Sequence, residues 1–241
     1  MTNLFRRNSV FIGLSLMLIV ALGLALLWVP KGELHLLLCD RHTPARDIFY
    51  RYYTQVAEWF PYVVCVALLL FSRIGDGVFA TSALILSALT TQLFKHLINA
   101  PRPLTWFETN MPDVQLPLVE GVKMNYWFSF PSGHTTSFFA LFFVLCIIIT
   151  GLDCLKSLND LEGSNRSSIF TRSNIVSGLI QILLFMLATL GAYSRIYLSQ
   201  HFAADVFAGV VVGIGITLCC YVLFCRFEGQ KWYNYRFFKK K

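Results

Sequence analysis

A helix needs about 20 mostly apolar residues to climb through a bilayer's hydrocarbon core, and this chain supplies such a run repeatedly. Phe11–Val29, Gly77–Ala100, Ser137–Gly151 with its flanks, Ile175–Tyr193 and Asp205–Cys225 all qualify. A sixth run, Phe60–Ser72, reaches spanning length only if Val56–Trp59 is added. Only 14% of the residues are charged and 56% are hydrophobic, whereas a soluble domain carries roughly 25% charged residues. Lipid is therefore the main solvent. The pattern predicts an all-α integral membrane protein, a six-helix bundle forming one domain over residues 1–241, with residues 77–225 as its core. Phe11–Val29 exceeds the usual signal-peptide core of about 7–15 residues and no A-x-A site follows it, so it is expected to be a retained helix.

Loop charges give an orientation. Arg6 and Arg7 precede the first run. Arg226, Lys231, Arg236 and Lys239–Lys241 follow the last, and Lys156, Arg166 and Arg172 lie between the fourth and fifth. Both termini and that loop are expected in the cytoplasm, which agrees with an even number of spans. Pro30–Trp59, with Asp47-Ile-Phe-Tyr-Arg-Tyr-Tyr, reads as an interfacial helix in the first outer loop, because Tyr and Trp settle at headgroup depth. Pro101–Pro131 reads as a long outer loop. The net charge of +7 is spread between apolar runs rather than along one soluble face, which argues against nucleic acid. The seven cysteines include no C-x-x-C pair. Zinc is not expected, nor is a disulfide.

Ionisable residues near membrane spans are costly and mark function. Three clusters contain them. In Lys95-His-Leu-Ile-Asn-Ala-Pro-Arg102-Pro103, two cations stand at a helix end, with prolines holding Arg102 in an extended turn. In Pro131-Ser132-Gly133-His134, Ser132 is a candidate N-cap, the free amides of the helix start suit phosphate, and Gly133 permits close approach. In Ser194-Arg195 through His201 to Asp205, the histidine and carboxylate are four apart and share a helical face. The topology puts all three clusters on one side of the membrane. Lys95, Arg102 and Arg195 would repel a divalent metal at His134, His201 and Asp205, but they match the charge of a phosphoryl group. In that reading His201 attacks phosphorus, Asp205 orients it, and His134 protonates the leaving oxygen and then activates water.

The three clusters resemble the signature K-x6-R-P, P-S-G-H and S-R-x5-H-x3-D of the type 2 phosphatidic acid phosphatases, relatives of the vanadium haloperoxidases. Every signature residue is present, in order and at the usual internal spacing. The resemblance implies a phosphohistidine on His201 and a phosphate cradle from Lys95, Arg102, Ser132, Gly133 and Arg195. It implies no metal and no other cofactor. The partner is then a phosphorylated lipid within the bilayer: a lipid A phosphate, undecaprenyl diphosphate, phosphatidylglycerol phosphate or phosphatidic acid. The expected location is a bacterial cytoplasmic membrane, with the site facing the periplasm or outside. A phosphotransferase of the same fold, a lipid or anion transporter, and a haloperoxidase are the competing functions. The transporter lacks support from an inverted repeat, and the haloperoxidases are soluble. Of the remaining histidines, His96 points about 100° away from Lys95 on a helix and reads as structural or interfacial. His35 and His42 read as solvated loop residues. Gly209-x3-Gly213 reads as close helix packing, and Asn165-Arg-Ser167 as a glycosylation acceptor on the wrong side.

Overall fold

The computed structural model describes residues 2–151 and 172–237. Lys156, Arg166, Asn165–Ser167 and Lys239–Lys241 fall outside them. The regular secondary structure of the described residues is all helical, with no strand among them. In chain order the helices are α1 (Thr2–Arg7), α2 (Ser9–Trp28), α3 (Lys31–Cys39), α4 (Pro44–Tyr53), a 3₁₀ turn (Thr54–Ala57), α5 (Trp59–Ser72), α6 (Ile74–Ile98), α7 (Pro103–Asn110), α8 (Gly133–Thr150), α9 (Arg172–Tyr197) and α10 (Ala203–Phe224).

Five helices, α2, α6, α8, α9 and α10, are long and apolar enough to cross a membrane. The doubtful sixth run has a distinct form. With 14 residues, α5 rises about 21 Å at the usual helical pitch, short of the roughly 30 Å hydrocarbon core. It reaches spanning length only together with Pro44–Ala57, from which it is bent by 50°. The first outer loop folds as two helices, α3 and α4, where the sequence suggested one. No residue of α4 is buried, as expected of a helix lying in an interface. The long outer loop also contains a helix, α7, with Pro103 in its first turn and Arg102 as its N-cap.

The bundle is built around α8, which is buried along most of its length, while α2 shows most of its surface to lipid. Apolar surface gains little by leaving lipid for a protein interior, so close packing must hold these helices together. A Cβ on Gly209 would stand 2.8 Å from the Ser132 carbonyl oxygen, and one on Gly213 would stand 2.6 Å from that of Thr136. Only glycine at these positions lets α10 lie against the first turns of α8, which is the close packing expected of the pair. On the opposite flank Gly191 of α9 meets the Phe138 ring, 2.5 Å from where its Cβ would be. Phe11 of α2 stacks on Phe143 with centroids 5.0 Å apart. These contacts fix the start of α8, and the chemistry-bearing residues gather around that point.

Candidate active site

The end of α6 brings the first cluster into place. Asn99 takes a left-handed conformation (φ 42°) and its amide donates to the Lys95 carbonyl at 2.9 Å, closing the helix. The chain then passes through Pro101 to Arg102, which is only 7% exposed. Arg102 Nε donates to the Trp127 carbonyl at 3.0 Å, and its Nη1 donates to the backbone and side-chain oxygens of Gln200 at 3.3 and 3.1 Å.

Ser132 is the N-cap of α8. Its hydroxyl oxygen accepts from the Thr135 amide at 3.4 Å and from the Thr135 hydroxyl at 2.9 Å. The Ser132 amide donates to the Asp205 carbonyl at 2.9 Å, tying the second cluster to the third. A Cβ on Gly133 would lie 3.9 Å from Lys95 Cε and 3.6 Å from Thr91 Cγ2. The Lys95 side chain therefore runs past the first turn of α8. His134, the next residue, is within electrostatic range of Arg195, His201, Lys95 and Arg102.

The third cluster turns the corner between α9 and α10. The amides of Gln200 and His201 both donate to the Arg195 carbonyl, at 3.0 and 3.1 Å. His201 is 1% exposed, and its Nδ1 lies 3.4 Å from Asp205 Oδ2. Ser129 supports this loose dyad: its hydroxyl donates to Asp205 Oδ2 and lies 3.4 Å from His201 Nδ1. The same carboxylate oxygen accepts the Phe202 amide at 2.9 Å, which fixes Asp205 at the start of α10. A carboxylate facing Nδ1 favours the tautomer that carries its proton there, which leaves Nε2 with a free lone pair. Burial, and then the charges of Arg102, Arg195 and Lys95, hold the His201 pKa well below 6.5. The imidazole is neutral at neutral pH, as a nucleophile must be.

Arg195 is 6% exposed. Its Nη1 donates to Thr54 Oγ1 at 2.6 Å and its Nη2 to Gln200 Oε1 at 3.4 Å, while Nε is buried with no partner. Neither Arg102 nor Arg195 makes an ion pair with a carboxylate among the described residues. Three cations therefore converge here with Asp205, which is engaged by His201, Ser129 and Phe202. Such a site is electrostatically incomplete without an anion.

The structure brings together every residue singled out in the sequence: Lys95, Arg102, Ser132, Gly133, His134, Arg195, His201 and Asp205. It adds three that sequence reasoning missed. Thr54, Ser129 and Gln200 are all buried, and each contacts a member of the three clusters. Thr54 lies outside the clusters and Ser129 just before one. Gln200 sits in a variable position of the third signature and carries no charge to draw notice.

Two expectations are overturned, the solvated readings of His35 and His42. His35 is fully buried rather than solvated, because the first outer loop folds down over the site as α3. Its ring lies 5.1 Å from that of Phe202 and 5.7 Å from that of Phe107, and its Nε2 is 3.4 Å from Cys39 Sγ. The Cys39 thiol donates to the Ile196 carbonyl at 3.0 Å. His42, half-buried, pairs through Nδ1 with Asp47 at 3.0 Å and stacks on Tyr197. His96 packs against the Phe128 ring at 5.1 Å, the structural role expected for it.

The family model described as the PAP2 superfamily matches residues 76–227. No curated protein matches the chain. Among solved structures, LpxE from Aquifex aeolicus is similar with a TM-score of 0.57 and 24% identity, covering 79% of this chain and 93% of its own. A transmembrane PAP2-type phosphatidylglycerolphosphate phosphatase from Bacillus subtilis is similar with a TM-score of 0.58 and 19% identity, covering 94% of this chain and 100% of its own. At these identities the likeness is one of fold.

Proposed function

The chain belongs to the PAP2 superfamily, a membrane phosphatase by family and fold, and we propose that it removes phosphate from a lipid headgroup through a covalent phosphohistidine on His201. The observation that carries this reading is the concentration of Lys95, Arg102 and Arg195 around a neutral, buried His201, with Arg195 Nε left without a partner. A phosphate group supplies both the missing negative charge and the missing acceptor.

In the first step His201 Nε2 attacks phosphorus in line with the lipid oxygen. The N–P bond forms as the P–O bond breaks. His134 gives its proton to the departing oxygen, and the negative charge of the bound phosphate stabilises the protonated form of His134 beforehand. Asp205 holds the Nδ1 proton and balances the positive charge that develops on the ring. The guanidiniums of Arg102 and Arg195, the ammonium of Lys95 and the amides at the start of α8 take up the charge on the equatorial oxygens. In the second step His134 accepts a proton from water, the water oxygen attacks phosphorus, and the N–P bond breaks to free inorganic phosphate. The chemistry uses these side chains and the amides at the start of α8, and calls for no metal or other cofactor. The catalytic core is residues 77–225 within a single membrane-embedded domain, and the termini lie in the cytoplasm with the site on the outer face.

Substrates compatible with this chemistry are phosphatidylglycerol phosphate, phosphatidic acid, lipid A phosphates and undecaprenyl diphosphate. The test is phosphate release by detergent-purified protein in EDTA against each of these lipids. We expect turnover of at least one lipid, a loss of more than about 1,000-fold in His201→Ala, and an acid-labile phosphoryl label on the wild-type protein alone. Undiminished turnover by His201→Ala would remove the mechanism. Transfer of label to a second lipid in place of water would make the enzyme a phosphotransferase.

A further inference from the structure

Buried arginines are ordinarily matched with carboxylates, because an unpaired charge away from water is expensive. Arg102 and Arg195 instead share a neutral group. Gln200, only 2% exposed, offers one oxygen, Oε1, to Arg102 Nη1 at 3.1 Å and to Arg195 Nη2 at 3.4 Å. An amide oxygen has two lone pairs and can accept both. The other end of the amide is fixed as well: Nε2 donates to the Lys123 carbonyl at 3.0 Å and lies 3.1 Å from Met124 Sδ. These partners also settle which way the amide points. Guanidiniums only donate, so the oxygen faces them, and the carbonyl only accepts, so the nitrogen faces it.

We propose that Gln200 is the positioning residue of the phosphate site, holding the two arginines at fixed spacing by a neutral oxygen so that their charge stays available to the substrate. Two guanidiniums this close repel each other, and an acceptor between them offsets the repulsion. A carboxylate there would offset it more strongly, but it would also compete with the incoming phosphate for the same donors. The neutral amide orients both guanidiniums and leaves both charges unspent. The segment around Lys123–Trp127 joins this arrangement, since it also accepts from the Arg102 backbone amide at the Tyr126 carbonyl (2.9 Å) and from Arg102 Nε at the Trp127 carbonyl. Gln200 thus links both arginines to the outer loop. The proposal deepens the phosphatase reading and rests on it.

Two substitutions separate this role from a structural one. Gln200→Glu keeps the shape and can still accept from both arginines. Gln200→Met keeps the length and removes the acceptor. Two quantities are measured for each: KM and kcat for the lipid phosphate that the wild type turns over best, and the concentration of inorganic phosphate that half-maximally raises the thermal midpoint in detergent. The positioning role predicts that phosphate affinity falls from wild type to Met to Glu. In Gln200→Glu both KM and the half-maximal phosphate concentration should rise about tenfold or more, with kcat changing far less. An amide needed only to hold the fold predicts the opposite order, Glu outperforming Met. Phosphate affinity in Gln200→Glu equal to or better than in Gln200→Met overturns the proposal. If Gln200→Glu fails to fold, wild-type phosphate affinity in Gln200→Met overturns it on its own. Phosphate stabilisation is read without turnover, so the two failures are distinguishable. A wild-type protein that neither releases phosphate nor is stabilised by it removes the phosphatase reading itself.

Discussion

The two ends of this bundle treat arginine in opposite ways. At the end away from the site, Arg73 Nε donates to Asp76 Oδ2 at 2.8 Å and its Nη2 donates to Oδ1. The guanidinium lies 5.4 Å from the Tyr233 ring centroid. Nearby, Arg7 donates to the Thr150 carbonyl. The chain after α10 is strapped across this end: the amides of Ile74 and Gly75 donate to the carbonyls of Tyr235 and Tyr233, at 3.1 and 2.9 Å. Here Arg73, the N-cap of α6, is matched by the carboxylate of Asp76 in that helix's first turn, and the result is a structural contact. At the catalytic end Arg102 and Arg195 meet carbonyls, a hydroxyl and an amide oxygen. The same residue type is structural where its charge is neutralised and is left available to a ligand where its partners are neutral.

The sharpest way to break this comparison is to remove one arginine from each end. Arg195→Met should cut kcat/KM by about 100-fold or more, the scale of losing a donor to developing charge. Its thermal midpoint should stay level or rise, because an apolar side chain replaces a buried charge that has no carboxylate partner. Arg73→Met should do the reverse. It strands the buried Asp76 carboxylate and should cost on the order of 3 kcal/mol of stability, while the folded fraction keeps wild-type kcat. Thermal midpoint and specific activity, measured on the same samples, check both. Equal loss of stability in the two variants would erase the distinction.

A smaller effect is expected at Gly133. A Cβ there meets Thr91 and Lys95 only at ordinary contact distance, so the protein itself has room for it. Gly133→Ala should fold normally yet lose about 10- to 100-fold in kcat/KM, because the added methyl stands where phosphate must approach the amides of α8. Wild-type activity in this variant would mean that phosphate binds elsewhere.

No effect at all is expected at neutral pH from His35 behind the dyad, whose contribution emerges only in acid. Burial lowers its pKa from 6.5 to about 4. Because the folded value is the lower one, the unfolded chain binds more protons between those pH values, so stability is lost as pH falls from about 6.5 towards 4. That difference corresponds to about 3 kcal/mol at full effect. His35→Leu should flatten this acid limb of the thermal midpoint against pH. An unchanged limb would assign the acid sensitivity to another group.

Much of this was legible in the chain itself. The apolar runs mark α2, α6, α8, α9 and α10 to within a few residues, since lipid demands length and hydrophobicity together. Lys95, Arg102, His134, Arg195, His201 and Asp205 were legible because ionisable residues are rare in such a protein and are noticed where they stand, and Ser132 and Gly133 because they sit beside His134 at a helix start. Thr54, Ser129 and Gln200 escaped because uncharged polar side chains are common at helix ends, and only their partners give them meaning. His35 escaped for a related reason. A histidine in a polar outer loop looks solvated until that loop is seen folded over Phe107 and Phe202.

The sequence by itself determined the solvent, the helices and the identity of the cations. Each follows from local composition, which no neighbour can change. Only the tertiary structure decided that Arg102 and Arg195, gathered near His201, would meet neutral acceptors and no carboxylate partner. Arg73 meets Asp76 three residues on in the chain, whereas the partners of Arg102 and Arg195 depend on which side chains meet across helices and loops, and that is settled by the packing at Gly191, Gly209 and Gly213.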